Sequence, residues 1–353
     1  MRITHLVWAM PRGGLESMLV DIANEQCRHH DVQIIVVNNE FNSDLLSELN
    51  AKIAVHLVRR PKGSGNPWYM AKAMYAANTF DPDVVHTHQL SLSAFVRLLK
   101  IPKITTVHDT VFEPARRISD YVDVCCISSS VRDKVLEQYP NVQTRIIPNG
   151  IKFEKIKVRT THAGPMVRVV QVSRLDHLKK GQDIALHALA QVIRTQREEV
   201  MTLDFIGDGP SREYLARLTL ELEIQQHVRF LGEKSRDEIY RTLADYDLLI
   251  QPSRYEGFGL TIIEAMGAGI PVLVPNLEGP LEIVEGGRYG DTFRCGDADD
   301  LAHRITQIIV ERHTVRFLER LTAARQMAIA RYDIANTAAA YVNAYVAAET
   351  ANN

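Results

Sequence analysis

A chain of 353 residues is long enough for two domains of ordinary size. Its 41 Lys+Arg and 43 Asp+Glu leave a formal charge of −2, so no overall basic field invites nucleic acid. Hydrophobic residues make up 46%, yet no apolar run reaches the length of a membrane span, and the four cysteines contain no C-x-x-C pair. Cys27, Cys125, Cys126 and Cys295 therefore read as thiols of a cytoplasmic protein, with neither a disulfide framework nor a zinc site expected.

Apolar runs and helical periodicity alternate along the whole chain. Ile3–Met10 reads as a first strand, since it lacks the basic start and small-residue cleavage site of a signal peptide. A helix follows on Leu15, Met18, Leu19, Ile22 and Ala23, then strands at Val32–Val37, Ala54–Val58, Val84–His86, Lys103–Val107, Asp123–Ile127 and Arg145–Ile147. Helical stretches near Met70–Ala77, Leu92–Leu99 and Val131–Gln138 separate most of them. Pro148-Asn149-Gly150 signals a turn, and the polar segment from Lys152 to Pro165 predicts a domain boundary, placed at 158/159. The alternation then restarts, with strands at Val167–Val172, Thr202–Ile206, Val228–Leu231, Leu248–Ile250 and Pro271–Val274. Helices are expected at Asp183–Arg194, Arg212–Leu222, Asp237–Tyr246, Ala298–Val310, Val315–Ala330 and Ile334–Ala348. Such alternation implies two parallel sheets, each covered by helices on both faces, with ligands collecting beyond the strand C-terminal ends.

The most informative stretch follows Leu248–Ile250. Gly257 and Gly259 make a tight turn into a short helix at Leu260–Met266, leaving N–H groups of about Gly257, Phe258, Gly259 and Leu260 unpaired at its start. That is a phosphate site. Glu256 and Glu264 flank it, and carboxylates accept hydrogen bonds from sugar hydroxyls, so the pattern suits a nucleotide sugar. Ser173-Arg174-Leu175 and Lys179-Lys180-Gly181 follow another strand. Cations at what reads as a helix start oppose its dipole and ask for an anion such as a diphosphate; solvated surface charge is the alternative. Gly207-Asp208-Gly209-Pro210 reads as a loop entering a helix capped by Ser211.

In the first half, Arg12-Gly13-Gly14 opens the first helix, where glycine admits a ligand to the backbone or simply makes a turn. No G-x-G-x-x-G is present and no acid ends the second strand, which weighs against a dinucleotide. Val107-His108-Asp109 ends a strand; His108 can bond a substrate, and Asp109 can orient a hydroxyl or cap a turn. His86 and His88 raise a metal, but no carboxylate or cysteine completes a ligand set. Arg59, Arg60 and Lys62, with Trp68, Tyr69 and Lys72 nearby and Arg116-Arg117 in a later loop, suit either an anionic membrane surface or a solvated loop over a core tryptophan.

Pro252-Ser253-Arg254-Tyr255-Glu256-Gly257-Phe258-Gly259, with Glu264 beyond it, resembles the paired-glutamate segment of retaining GT-B glycosyltransferases, in particular glycosyltransferase family 4. The resemblance extends over essentially the whole chain. It implies the GT-B fold, two Rossmann-like doubly wound parallel-sheet domains facing a central cleft: an acceptor-binding domain at 1–158, a nucleotide-sugar domain at 159–332, and a C-terminal helix at 333–353 crossing back to the first. It further implies that Gly13 and Gly14 lie beside the donor phosphate and acceptor, and His108 near the donor's anomeric carbon. Arg174 and Lys180, with Lys179 as the adjacent alternative, match the diphosphate-binding pair. Glu256 would hold sugar hydroxyls and Glu264 the ribose, and Val228–Gly232 matches the stretch that meets the base.

The expected reaction is transfer of a sugar from a nucleotide-diphosphate sugar, UDP-linked in preference to GDP-linked, to a hydroxyl of a glycan or lipid-linked acceptor in surface polysaccharide synthesis. The family is metal-independent, so no metal or cofactor is expected. Partners would be the nucleotide-sugar donor, the acceptor and an anionic membrane at the cytoplasmic face of the inner membrane, with no nucleic acid. A same-face reaction and a double displacement both remain open. The rivals are a nucleotide-sugar epimerase of the same fold and a catalytically silent scaffold.

Overall fold

The computed structural model describes residues 1–115, 117–160, 166–195 and 200–352. The chain divides into two compact units, one formed by Met1–Ile151 with Tyr332–Asn353, the other by Lys152–Arg331.

The first unit runs β1 (Arg2–Val7), α1 (Gly14–Gln26), β2 (Asp31–Asn38), α2 (Ser43–Ser47), β3 (Ala54–Arg60), α3 (Pro67–Phe80), β4 (Val84–Thr87), α4 (Ser93–Val96), β5 (Lys103–Val107), β6 (Asp123–Cys126), α5 (Ser129–Gln138) and β7 (Thr144–Ile146). Its seven strands are all parallel, in the order β3-β2-β1-β4-β5-β6-β7. Helices cover both faces, so a strand such as β2 is buried at seven successive positions and reads as a continuous apolar run. The strand order reverses between β1 and β4, which opens a crevice beyond their C-terminal ends.

The second unit contains β8 (Met166–Val172), α6 (His177–Lys180), α7 (Gln182–Thr195), β9 (Val200–Ile206), α8 (Arg212–Glu221), β10 (Val228–Phe230), α9 (Arg236–Thr242), β11 (Leu248–Ile250), α10 (Leu260–Ala268), β12 (Val272–Pro275), α11 (Glu278–Ile283), β13 (Asp291–Phe293), α12 (Ala298–Glu311) and α13 (Val315–Tyr332). Six parallel strands run β10-β9-β8-β11-β12-β13, with the reversal between β8 and β11. Val169, Leu203 and Leu248 from the sheet pack with Ile184, Leu189, Leu301 and Ile305 from α7 and α12.

The last helix, α14 (Ile334–Asn352), belongs to the first unit. Tyr341 and Tyr345, one turn apart, are fully buried among Ile3, Ile22, Val84 and Ile104. The two chain crossings are zipped together: Ile151 N–H donates to the Tyr332 carbonyl and Ile334 N–H to the Ile151 carbonyl, at 2.9 and 3.0 Å. The Thr337 hydroxyl donates to the Pro148 carbonyl.

Several expectations need correction. The second unit begins at Lys152, ahead of the expected break at 158/159, because Phe153 and Ile156 are buried and crowd against Gly267, and the Lys157 and Arg159 amides bond the Tyr240 and Ala268 carbonyls. Residues 161–165 of the expected linker lie outside the described residues, as does Arg116. Asp237–Tyr246 is α9 followed by a 3-10 turn at Leu243–Asp245, and the helix expected at Leu92–Leu99 shortens to Ser93–Val96. Trp68 is no core residue: it is 61% exposed on α3. No helix among the described residues is long and apolar enough to cross a membrane.

Candidate active site

In the second unit, the predicted residues gather where the strand order reverses. Arg174 follows β8, and the Gln251–Gly259 loop follows β11. Lys180 Nζ lies 2.9 Å from Glu256 Oε2, with both side chains largely buried. The same oxygen accepts from Gln251 Nε2 at 3.0 Å and from the Ser253 hydroxyl at 3.3 Å. Gln251 is oriented in turn by Thr261, whose hydroxyl donates to its Oε1. Three donors thus converge on one carboxylate oxygen and hold Glu256 in place.

Two loops from opposite sides of the crevice are pinned to form this cluster. Arg254 makes a two-pronged pair with Asp183 at 2.8 Å on each prong, and donates to the His177 carbonyl. Its backbone N–H reaches the Lys179 carbonyl. Burial alone would raise the Asp183 carboxyl, but the Arg254 hydrogen bonds and charge outweigh it and hold it below the ordinary range. Gln171 Nε2 ties the Lys180 carbonyl, and Gln182 Nε2 bridges Ser173 and the Arg174 carbonyl. Gly181, at φ +64°, lets this strap pass directly over Pro252; a Cβ there would meet the Pro252 oxygen at 1.9 Å.

Gly259, at φ +108°, precedes α10 with no side-chain cap, so Gly257, Phe258, Gly259 and Leu260 lie at the start of that helix. Glu264, one turn inside α10, is buried and lies 3.8 Å from the Arg236 guanidinium. Arg236 begins α9, whose capping box of Ser235 and Glu238 sets its start; the S-x-x-E spacing was the available sequence signal. Gln251 and Arg236 are the residues sequence reasoning missed here. Arg174 is exposed, and its side chain has no hydrogen-bond or ion-pair partner among the described residues.

Lys179 and Lys180 lie at the end of a helix, not at its start as expected. They end the one-turn helix α6, and left-handed Gly181 caps it, so their charge complements that terminus. Their position alone does not demand an anion. Ser211 also differs from expectation: its hydroxyl does not cap α8 but accepts from the His177 N–H and bonds the His177 ring, which stacks on Tyr214.

In the first unit, Gly13 precedes α1 with extended backbone, and Gly14 is its first residue. His108 follows β5 and lines a cavity of about 330 Å³ with Trp8, His88, Gln89, Ser91 and Phe112. Burial holds its imidazole down at about 3. Asp109 is exposed and its carboxylate caps its own turn, through the Thr110 hydroxyl and the Val111 N–H. His86 and His88 are joined by His5, a third histidine that sequence reasoning missed; the three present ring nitrogens within 4.8 Å of one another.

Two family models match the chain: Glycosyltransferase Family 4 over residues 12–155 and Glycosyl transferases group 1 over residues 152–326. A glycogen synthase of Mycobacterium tuberculosis is 27% identical over 307 residues, covering 79% of this chain and 72% of its own. An uncharacterized glycosyltransferase of Methanocaldococcus jannaschii is 24% identical over 358 residues, covering 88% and 89%. Among solved structures, a Rickettsia africae glycosyltransferase superposes with a TM-score of 0.84 at 19% identity, over 98% of each chain. Anabaena HepE in complex with UDP gives 0.82 at 22%, over 98% and 100%. The paired glutamates, the two doubly wound sheets and the matched models agree: the chain belongs to the GT-B glycosyltransferases of family 4.

Proposed function

We propose that this glycosyltransferase moves a hexose or N-acetylhexosamine from a UDP-linked donor to a hydroxyl of a glycan or lipid-linked acceptor, with retention at the anomeric carbon. The observation that carries the reading is the Lys180–Glu256 pair beside the uncapped start of α10. Glu256 Oε2 is occupied by three donors, leaving Oε1 for a donor-sugar hydroxyl. Glu264 takes the ribose hydroxyls. The backbone at the start of α10, Gly259 and Leu260, with Lys180 and Arg174, takes the diphosphate. That charge stabilises the leaving group, an effect that contributes about 3–4 kcal/mol per well-placed donor. Because these cations supply what a metal would, the reaction needs none. HepE, a structural neighbour, has been solved with UDP and with UDP-glucose, which supports UDP over GDP.

The acceptor side is assigned to the first unit. There α3 presents Trp68 and Tyr75, 61% and 74% exposed, with Lys72 on the same face, which supports contact with an anionic membrane carrying the acceptor.

The test is a thermal-shift and transfer panel of UDP- and GDP-linked sugars, with and without EDTA. UDP-sugars should stabilise the protein, EDTA should change nothing, and Glu256→Ala should abolish transfer while free UDP still binds. A fully active Glu256→Ala variant would refute the assignment, and release of an epimerised donor without an acceptor would replace transfer by epimerisation.

A further inference from the structure

Three buried histidines and a fourth that is half-buried, from three adjacent strands, form a cluster in the first unit. His5 lies on β1 and pairs in register with His86 on β4; His88 follows β4, and His108 follows β5. Their hydrogen bonds form a directed chain. His5 Nε2 lies 2.7 Å from Gln26 Oε1, and His5 Nδ1 lies 3.1 Å from His88 Nε2. His88 Nδ1 lies 3.2 Å from His108 Nε2. The remaining ring nitrogen, His108 Nδ1, is buried and has no hydrogen-bond partner among the described residues.

The protons in this chain can be placed one after another. An amide oxygen only accepts, so His5 carries its hydrogen on Nε2. Burial keeps all four rings neutral, and a neutral ring has one N–H, so His5 Nδ1 is bare. His88 must then donate from Nε2 to His5, which leaves its Nδ1 to accept from His108 Nε2. His108 is left with a bare Nδ1. The polarity is set 21 residues from His5, at Gln26, whose Nε2 donates to the Tyr345 hydroxyl of α14. A side branch uses the same logic. Tyr345 donates to His86 Nδ1, His86 Nε2 donates to the Thr106 hydroxyl, and Thr106 donates to Tyr341. Every nitrogen of His5, His86 and His88 is thereby used, so the cluster is accounted for without a metal.

We propose that Gln26, His5 and His88 are positioning residues: they fix His108 as the tautomer with a bare Nδ1, which accepts a hydrogen bond from a hydroxyl of the bound sugar beside the first unit's cavity. This rests on the transfer reaction proposed above. The physical benefit is selectivity for a group that can donate. A buried acceptor left unpaired costs free energy, so a hydroxyl that reaches it is favoured over a group that cannot donate.

The test combines ¹⁵N NMR of histidine-labelled protein with steady-state kinetics. At pH 7.5, His108 should show an unprotonated Nδ1 and a protonated Nε2, and a bound sugar should shift the Nδ1 resonance. Gln26→Met removes the acceptor that sets the polarity. It should mix the His108 tautomers and lower kcat about tenfold with donor KM unchanged. Gln26→Glu, which still accepts, should restore the tautomer and recover most of the loss. His88→Leu, which cuts the chain, should behave like Gln26→Met, and circular dichroism would report whether either variant folds. A His108 protonated on Nδ1 in the wild type overturns the proposal even if the enzyme transfers sugar, as does a Gln26→Met variant of unchanged kcat. If the tautomer is found but no sugar donor is turned over, the transfer reading has failed and the positioning chain has not.

Discussion

Replacing Gly181 by alanine probes how the cluster around Glu256 is assembled. Gly181 sits at φ +64°, and an added Cβ would lie 1.9 Å from the Pro252 carbonyl oxygen, a backbone atom that no side-chain rotation can clear. The loop after β11 would have to retreat by about 1.5 Å to reach an ordinary contact. Alanine in the left-handed region costs about 1–2 kcal/mol, and crowding a packed interior adds about 1–3 kcal/mol, so about 3 kcal/mol is expected in all. In a unit of this size, each kcal/mol lowers Tm by about 2–4 °C, which predicts a fall of about 6–12 °C. The retreat also moves Pro252 and Ser253 relative to Lys180, so the 2.9 Å pair with Glu256 should lengthen. Differential scanning calorimetry and donor hydrolysis measure the two effects on one sample. A variant whose Tm stays within about 2 °C of the wild type, with unchanged hydrolysis, would show that the strap does not pass Pro252 so closely.

Two further outcomes concern pH. His5, His86, His88 and His108 are held neutral by burial, His5 down to about 4 and His108 to about 3, so the unfolded chain takes up protons first as pH falls below about 6.5. Above that value they leave stability unchanged, and on acidification towards pH 4 they destabilise the fold, by up to about 1.4 kcal/mol per pH unit for each proton. Urea unfolding across pH 7.5 to 4.5 should show uptake of more than one proton, and a flat profile would contradict the buried cluster. Asp183 is held below its ordinary range, so its pair with Arg254 stabilises the fold above about pH 4 and is lost as pH falls through the folded value. Asp183→Asn should therefore be less stable at pH 7, with the difference narrowing towards pH 2 in thermal melts.

Much of the architecture was legible because parallel strands buried on both faces leave long apolar runs. Lys103–Val107 and Leu248–Ile250 were bounded to the residue. Asp291–Phe293 was not expected as a strand: three residues, two of them polar and half-buried at the sheet edge, carry no period. One-turn α6 was hidden for the same reason, and with it the terminus that Lys179 and Lys180 complement. Within the site, Glu256, Gly257 and Gly259 stood out because they are local to one turn. Arg236 beside Glu264, Asp183 beside Arg254, and Gln26 beside His5 pair only after the chain has folded. No spacing in the sequence brings residue 26 to residue 345, yet Gln26 and Tyr345 share a hydrogen bond.

The return of α14 to the first unit bears on the order in which the protein is made. The segment 152–331 is continuous and can complete its sheet as soon as it leaves the ribosome, ahead of the unit that begins the chain. Met1–Ile151 must meanwhile wait, with the seats of Tyr341 and Tyr345 among Ile3, Val84 and Ile104 unfilled, until the last helix has been translated. A premature stop just after Arg331 would release a finished second unit tethered to a first unit with an open core. The same stop would leave Gln26 and His86 without the tyrosine that joins them, so a histidine cluster that begins at residue 5 is completed only by the last helix.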